Sequence, residues 1–178
     1  MRNKNPVIVY ILRAFFIALT VAVLFFIFRN GTAEGSASSE QSYSVTVKVQ
    51  EAVGALDPDS PIATAKGTEF DLLHACVRDA AHFVQYFALG ISVCGVFLSF
   101  VKKGGWGYFY IVPCFVFFTA AIDECLQGLT DGRAAQLMDF AVDCIGAATG
   151  IGLFLAVFAM MRLMLYTSKK LDKQVPYA

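Results

Sequence analysis

Apolar residues fall into four nearly unbroken runs separated by polar stretches. The runs are Val7 to Phe28, with Arg13 as its single charge, Ala80 to Val101, Trp106 to Ile122, and Cys144 to Met161 between Asp143 and Arg162. A helix needs about 20 consecutive apolar residues to cross a bilayer, and each run approaches that length. The pattern predicts an all-α polytopic membrane protein, an up-and-down bundle of four transmembrane helices. The first run is longer than the roughly 7–15-residue apolar core of a signal peptide. It therefore reads as an uncleaved span, although Ala33 and Ala37 follow it in a small, polar stretch.

Between the first two spans, Asn30 to Ser42 is rich in Gly and Ser and predicts a flexible linker. From Tyr43 two periods compete. Tyr43, Val45, Val47 and Val49 alternate as in a strand, whereas Val45, Val49, Val53 and Leu56 recur as in a helix. A lone strand would lack a partner, so a short amphipathic helix at the membrane surface is expected, ending at the turn signal Asp57-Pro58. Helical character resumes near Glu69 and enters the second span. The chain thus divides into 1–29 (N-terminus and first span), 30–71 (external acidic segment), 72–168 (core of three spans) and 169–178 (basic tail).

Composition adds an exclusion. Of 178 residues, 57% are apolar and 16% charged, with zero net charge, against about 25% charged in soluble domains. With no basic excess or basic-aromatic stripe, nucleic-acid binding is excluded as the main task. Charge placement then sets orientation, because short cytoplasmic loops collect Lys and Arg. Taking the N-terminus as inside puts Arg2, Lys4, Lys102, Lys103, Arg162, Lys169, Lys170 and Lys173 on the cytoplasmic side. Arg29, Lys48, Lys66, Arg78 and Arg133 lie opposite, spread over longer connections. Both termini are expected in the cytoplasm of a multi-pass plasma-membrane protein. Lys102 to Gly105 would form a tight inner turn, flanked by Trp106, Tyr108 and Tyr110 as an interfacial belt.

In this topology the polar residues within or beside the spans gather at the outer face. Arg78, His82 and Tyr86 recur every four residues at the outer end of the second span, and so share one helix face. Asp123, Glu124 and Gln127 close the third span, Arg133 follows in the outer turn, and Asp139 and Asp143 open the fourth. Ionisable groups at bilayer depth are functional candidates because burying them is costly. Gly146 and Gly150 continue the Asp139–Asp143 face and would let another helix approach closely. Asp79 and Asp131 read as solvated, and His74, one turn before Arg78, as outside the site. Glu124 cannot share the direction of its neighbour Asp123, so one of the two is expected to face water.

Three ordered blocks carry a family resemblance: Arg78-x3-His82-x3-Tyr86-x2-Leu89, then Asp123-Glu124-x2-Gln127, then Gly132-Arg133-x5-Asp139-x6-Gly146-x3-Gly150. Over about 75 residues this resembles the VanZ-like family of small membrane proteins, named after the teicoplanin-resistance protein VanZ. The chain departs from the family pattern in having Asp143 where Asn is frequent, Leu126 where His is frequent, and Asp131-Gly132 where Pro-Gly precedes the arginine. The resemblance implies a link to glycopeptide resistance and leaves the underlying chemistry open.

Three readings of the cluster follow. Arg78 and Arg133 would clamp the phosphate of a lipid head group or cell-wall precursor, since the guanidinium fork matches phosphate oxygens, with the acids orienting them. Alternatively, His82 would act as general acid or base, oriented by Asp139 or Asp123, in a hydrolase or transferase acting on a lipid-linked phosphate or acyl group. The third reading is a polar network that only staples helices. Membrane lipids are the expected partners, with a lipid-linked precursor or a glycopeptide as further candidates, and the oligomeric state stays open. Oxygen ligands on Asp123, Glu124 and Asp143 would suit Mg or Ca. The chain has no HExxH, no cysteine pair at zinc spacing and no phosphate-binding glycine loop, so no metal and no cofactor is assigned. A transporter is disfavoured, because the inner halves of the spans offer nothing polar to conduct along.

Overall fold

A computed structural model describes residues 6–100 and 108–172. The expected turn at Lys102 to Gly105, Trp106, and the basic residues Arg2, Lys4 and Lys173 lie outside the described residues. Among the described residues six helices form: α1 (Pro6–Gly31), α2 (Gly35–Leu56), α3 (Pro61–Thr64), α4 (Thr68–Phe100), α5 (Tyr108–Gly128) and α6 (Leu137–Asp172). There is no strand among the described residues. Four helices among the described residues are long and apolar enough to cross a membrane, over Val7–Gly31, Thr68–Phe100, Tyr110–Gly128 and Leu137–Ser168. The protein is an all-α, multi-pass membrane protein, as the hydropathy pattern predicts.

Side-chain contacts set the relative directions of the helices. Arg78 and His82 of α4 meet Asp139 and Asp143 of α6 in the same order, so these two helices run parallel. Arg13 of α1 meets Ser99 at the end of α4, and Phe117 of α5 meets Phe140 of α6; those pairs run antiparallel. The result is an up-and-down bundle whose tightest interface joins α4 and α6. Gly146 and Gly150 make that closeness possible. A Cβ on Gly146 would lie 2.5 Å from the Phe83 carbonyl oxygen, and one on Gly150 would overlap that of Phe87.

The bundle core is built from Ile27, Tyr86, Leu89, Val93, Val112, Val116, Ala120 and Ala147. Along α1 and α6 most of the apolar surface stays uncovered, with Phe25, Leu163 and Leu165 more than 60% exposed. In water that would be a liability, but it is the surface a helix presents to lipid. Pro113 lies within α5, and the helix is continuous through it.

One local expectation needs correction. The Gly/Ser segment is not a linker: α2 begins at Gly35, and only residues 32–34 separate it from α1. Tertiary contacts outweigh the poor helix propensity of this stretch. The Gly35 amide donates to the Asp131 carbonyl at 3.0 Å, the Ser42 hydroxyl meets His74 Nε2 at 2.7 Å, and Tyr43 packs against Phe70. The Tyr43–Leu56 stretch is helical, ending where Asp57 caps it. Arg13 of α1 reaches across to the end of α4. Its Nε and Nη2 donate to the Ser99 carbonyl at 3.0 and 2.8 Å, and its guanidinium lies 4.4 Å above the Phe100 ring. A cation thereby caps the carbonyl end of α4. All five cysteines are free.

Candidate functional site

The end of α1, the first turns of α4 and α6, the end of α5 and the loop 129–136 converge at the end of the bundle away from Pro6. Because α4 is 33 residues long, at 1.5 Å per residue it spans about 50 Å, well beyond the roughly 30 Å of a hydrocarbon core. Its polar N-terminal turns therefore project past the apolar run, and Arg78 and His82 fall near the boundary.

Two polar pairs cross the α4–α6 interface one helical turn apart. Arg78 Nη2 donates to Asp139 Oδ2 at 2.9 Å, with Asp139 almost wholly buried. Below it His82 Nδ1 lies 3.1 Å from Asp143 Oδ1, and Asp143 has no exposed surface. The carboxylate at His82 is thus Asp143, whereas Asp139, expected to orient the imidazole, holds Arg78 instead. From α5, Asp123 Oδ2 accepts a hydrogen bond from Gln127 Nε2 at 3.0 Å and a long one, 3.5 Å, from the Tyr86 hydroxyl. On the other side Asp123 Oδ1 lies against Gly31, where a Cβ would overlap it.

Glu124 does not face water. It is 7% exposed, and its Oε2 accepts the Gln136 amide at 2.9 Å, just before the first turn of α6. An acid there satisfies a donor that the helix itself cannot. Both members of the Asp123–Glu124 pair are buried because α1 and α4 cover one side of α5 and the α5–α6 loop folds over the other.

Arg133 is placed by that loop. Gly132 adopts a left-handed φ of 74°, which a side chain would strain, and the turn brings Asp131 and Gly132 against Gly35. Arg133 Nη1 donates to the Asn30 carbonyl at 2.7 Å, and the Thr130 hydroxyl reaches the Gly31 carbonyl at 3.4 Å. Burial and the nearby Arg78 guanidinium both hold Arg133 below the ordinary arginine range. Between the two arginines lies a cavity of about 520 Å³, lined also by Gly35, Ser38, His74, Gln127 and Asp139.

The site thus gathers Arg78, His82, Tyr86, Asp123, Glu124, Gln127, Arg133, Asp139 and Asp143 at one end of the bundle. Over residues 14–162 the sequence matches the VanZ/LLP1 family. The chain belongs to that family. No curated protein and no solved structure matches it. The VanZ/LLP1 match begins within α1 and takes in α2, so it covers more than the three polar blocks that carry the resemblance in the sequence. In this VanZ/LLP1 protein the first turn of α2 lines the cavity, and the end of α1 holds Arg133 and Thr130 through the Asn30 and Gly31 carbonyls. Sequence reasoning missed His74, Ser38 and Gly35 as lining residues. His74 had a visible signal, lying one turn before Arg78 on the same face; Gly35 and Ser38 had none, since a linker reading hid them.

Proposed function

We propose that the protein binds the phosphate of a membrane lipid head group or lipid-linked cell-wall precursor at the outer face of the plasma membrane, and through it contributes to glycopeptide resistance. One observation carries the reading: Arg78 and Arg133 flank the same cavity, and Asp139, already paired with Arg78, is the one carboxylate among its lining residues. The cavity therefore has positive charge left over for an anion. The first turn of α2 lines it as well, adding the positive end of a helix dipole. The excess of basic residues on the opposite side of the spans supports an outward-facing site with both termini inside.

The test is lipid retention in nanodiscs by native mass spectrometry, comparing phosphatidylglycerol with a neutral glycolipid. Susceptibility to teicoplanin is scored in parallel, at matched membrane abundance. Wild type should retain the phospholipid selectively and protect the host, and Arg133→Ala should lose both. Arg133→Lys keeps the charge but loses the fork, and should retain less than wild type. Unchanged retention in Arg78→Ala and Arg133→Ala, with lowered thermal stability, would assign the arginines to helix stapling.

A second reading has its own observation. The His82–Asp143 contact is the geometry that fixes one imidazole tautomer for proton transfer, as a hydrolase or transferase of lipid-linked phosphate or acyl groups would use. His82→Gln abolishing turnover while lipid retention persists would favour it; purified protein that turns over no such substrate would count against it.

A further inference from the structure

Below the arginine cavity the charge balance reverses. Asp143 and Asp123, 0% and 2% exposed, share the junction of α4, α5 and α6 with His82. Each of the three offers a ligand atom, and these atoms lie within 4.8 Å of one another. Two carboxylates bring a charge of −2 when ionised, and one imidazole supplies at most +1. Neither arginine hydrogen-bonds to these two carboxylates: Arg78 donates to Asp139, and Arg133 Nη1 to the Asn30 carbonyl. Asp143 Oδ2 and Asp123 Oδ1 are buried without hydrogen-bond partners, a costly state for carboxylate oxygens unless something neutralises them.

We propose that His82, Asp123 and Asp143 form a binding site for a divalent first-row transition cation such as Zn²⁺ or Mn²⁺. The mixed nitrogen and oxygen set favours these over Mg²⁺ and Ca²⁺, which are served best by oxygen alone. The 3.1 Å between His82 Nδ1 and Asp143 Oδ1 is close to the spacing of two ligands about an ion with bonds of about 2.1 Å. Gln127 and Tyr86 hold Asp123 from outside the group, the kind of support that orients metal-binding carboxylates. Gln127 also lines the cavity above, giving a hydrated ion a polar route in. Glu124 is not in this group; its Oε2 accepts the Gln136 amide, and its Oε1 is buried without a partner.

The inference is independent of the phosphate reading, and its test contains no phosphate ligand. Full-length protein in detergent is stripped with chelator, then titrated with Zn²⁺ or Mn²⁺ alone and followed by metal analysis after desalting, by thermal unfolding and by electron spin echo of bound Mn²⁺. Wild type should retain about one ion per chain, gain thermal stability saturably, and show nitrogen modulation from an imidazole. His82→Gln should lose that modulation, and His82→Gln and Asp143→Asn should each bind at least tenfold more weakly; Asp59→Asn, at an exposed carboxylate between α2 and α3, should bind as wild type does. Should the variants not fold, wild type alone decides: no retained ion and no thermal shift up to millimolar metal overturns the site. Binding unchanged in His82→Gln and Asp143→Asn overturns it equally.

Discussion

His82 and Asp143 meet 61 residues apart in sequence, and Arg78 and Asp139, one turn earlier on the same two helices, meet at the same separation of 61. The repeated offset means that α4 and α6 are parallel and in register through the site. It also ties the chemistry to packing: Gly146 and Gly150, which bring the backbones together, lie one and two turns farther along α6.

That register makes the glycines the sharpest structural test. Gly150→Leu should destabilise the bundle by about 1–3 kcal/mol or more, because the Phe87 carbonyl occupies the space of the new side chain. Gly152, two residues on, has open space around it, so Gly152→Ala should be neutral or stabilise by up to about 1 kcal/mol. Thermal unfolding of both in the same detergent checks the contrast; a gain in both would mean that helix propensity, and not α4–α6 contact, governs the position.

Arg78 and Asp139 should be energetically coupled. A double-mutant cycle of Arg78→Gln and Asp139→Asn is expected to give about 0.6–1.7 kcal/mol, the span measured for polar pairs between membrane helices. Additive effects would show that the 2.9 Å contact contributes geometry without net stability.

At the other end of the bundle, Arg13→Leu removes the cation that takes the Ser99 carbonyl. Stability should fall by about 1 kcal/mol, while phospholipid retention and metal binding at the far end stay at wild-type levels. A change in either binding property would reveal coupling along the length of α4.

Cys76 reports orientation. It is exposed near the polar end of α4, so a variant keeping Cys76 as its single cysteine should react with a membrane-impermeant maleimide in intact cells. Labelling only after the membrane is opened would place the site on the cytoplasmic side and invert the proposed topology.

Much of the architecture was legible because it depends on quantities summed along the chain. The four spans follow from hydropathy, and the Arg78-His82-Tyr86 face from a four-residue period. The errors share a cause. Asn30 to Ser42 reads as a linker because serine and glycine have little helix preference of their own, yet contacts with Asp131 and His74, far away in sequence, hold Gly35 to Ser42 helical. One of Asp123 and Glu124 reads as facing water because adjacent residues on a helix point apart, yet the loop before α6 folds over Glu124 and supplies an amide.

By itself, then, the sequence determined that the protein is a helical bundle in a membrane, which helices carry polar groups, and at which end. Those properties are local or additive, set by transfer of apolar side chains from water and by helical periodicity. Only the tertiary structure decided the partners: that Asp143 and not Asp139 meets His82, that Arg133 flanks Arg78 across a cavity roofed by α2, and that Asp123 joins the imidazole while Glu124 turns to a backbone amide. Such choices depend on how helices distant in sequence are rotated and staggered against each other, and close packing at Gly146 and Gly150 sets that stagger.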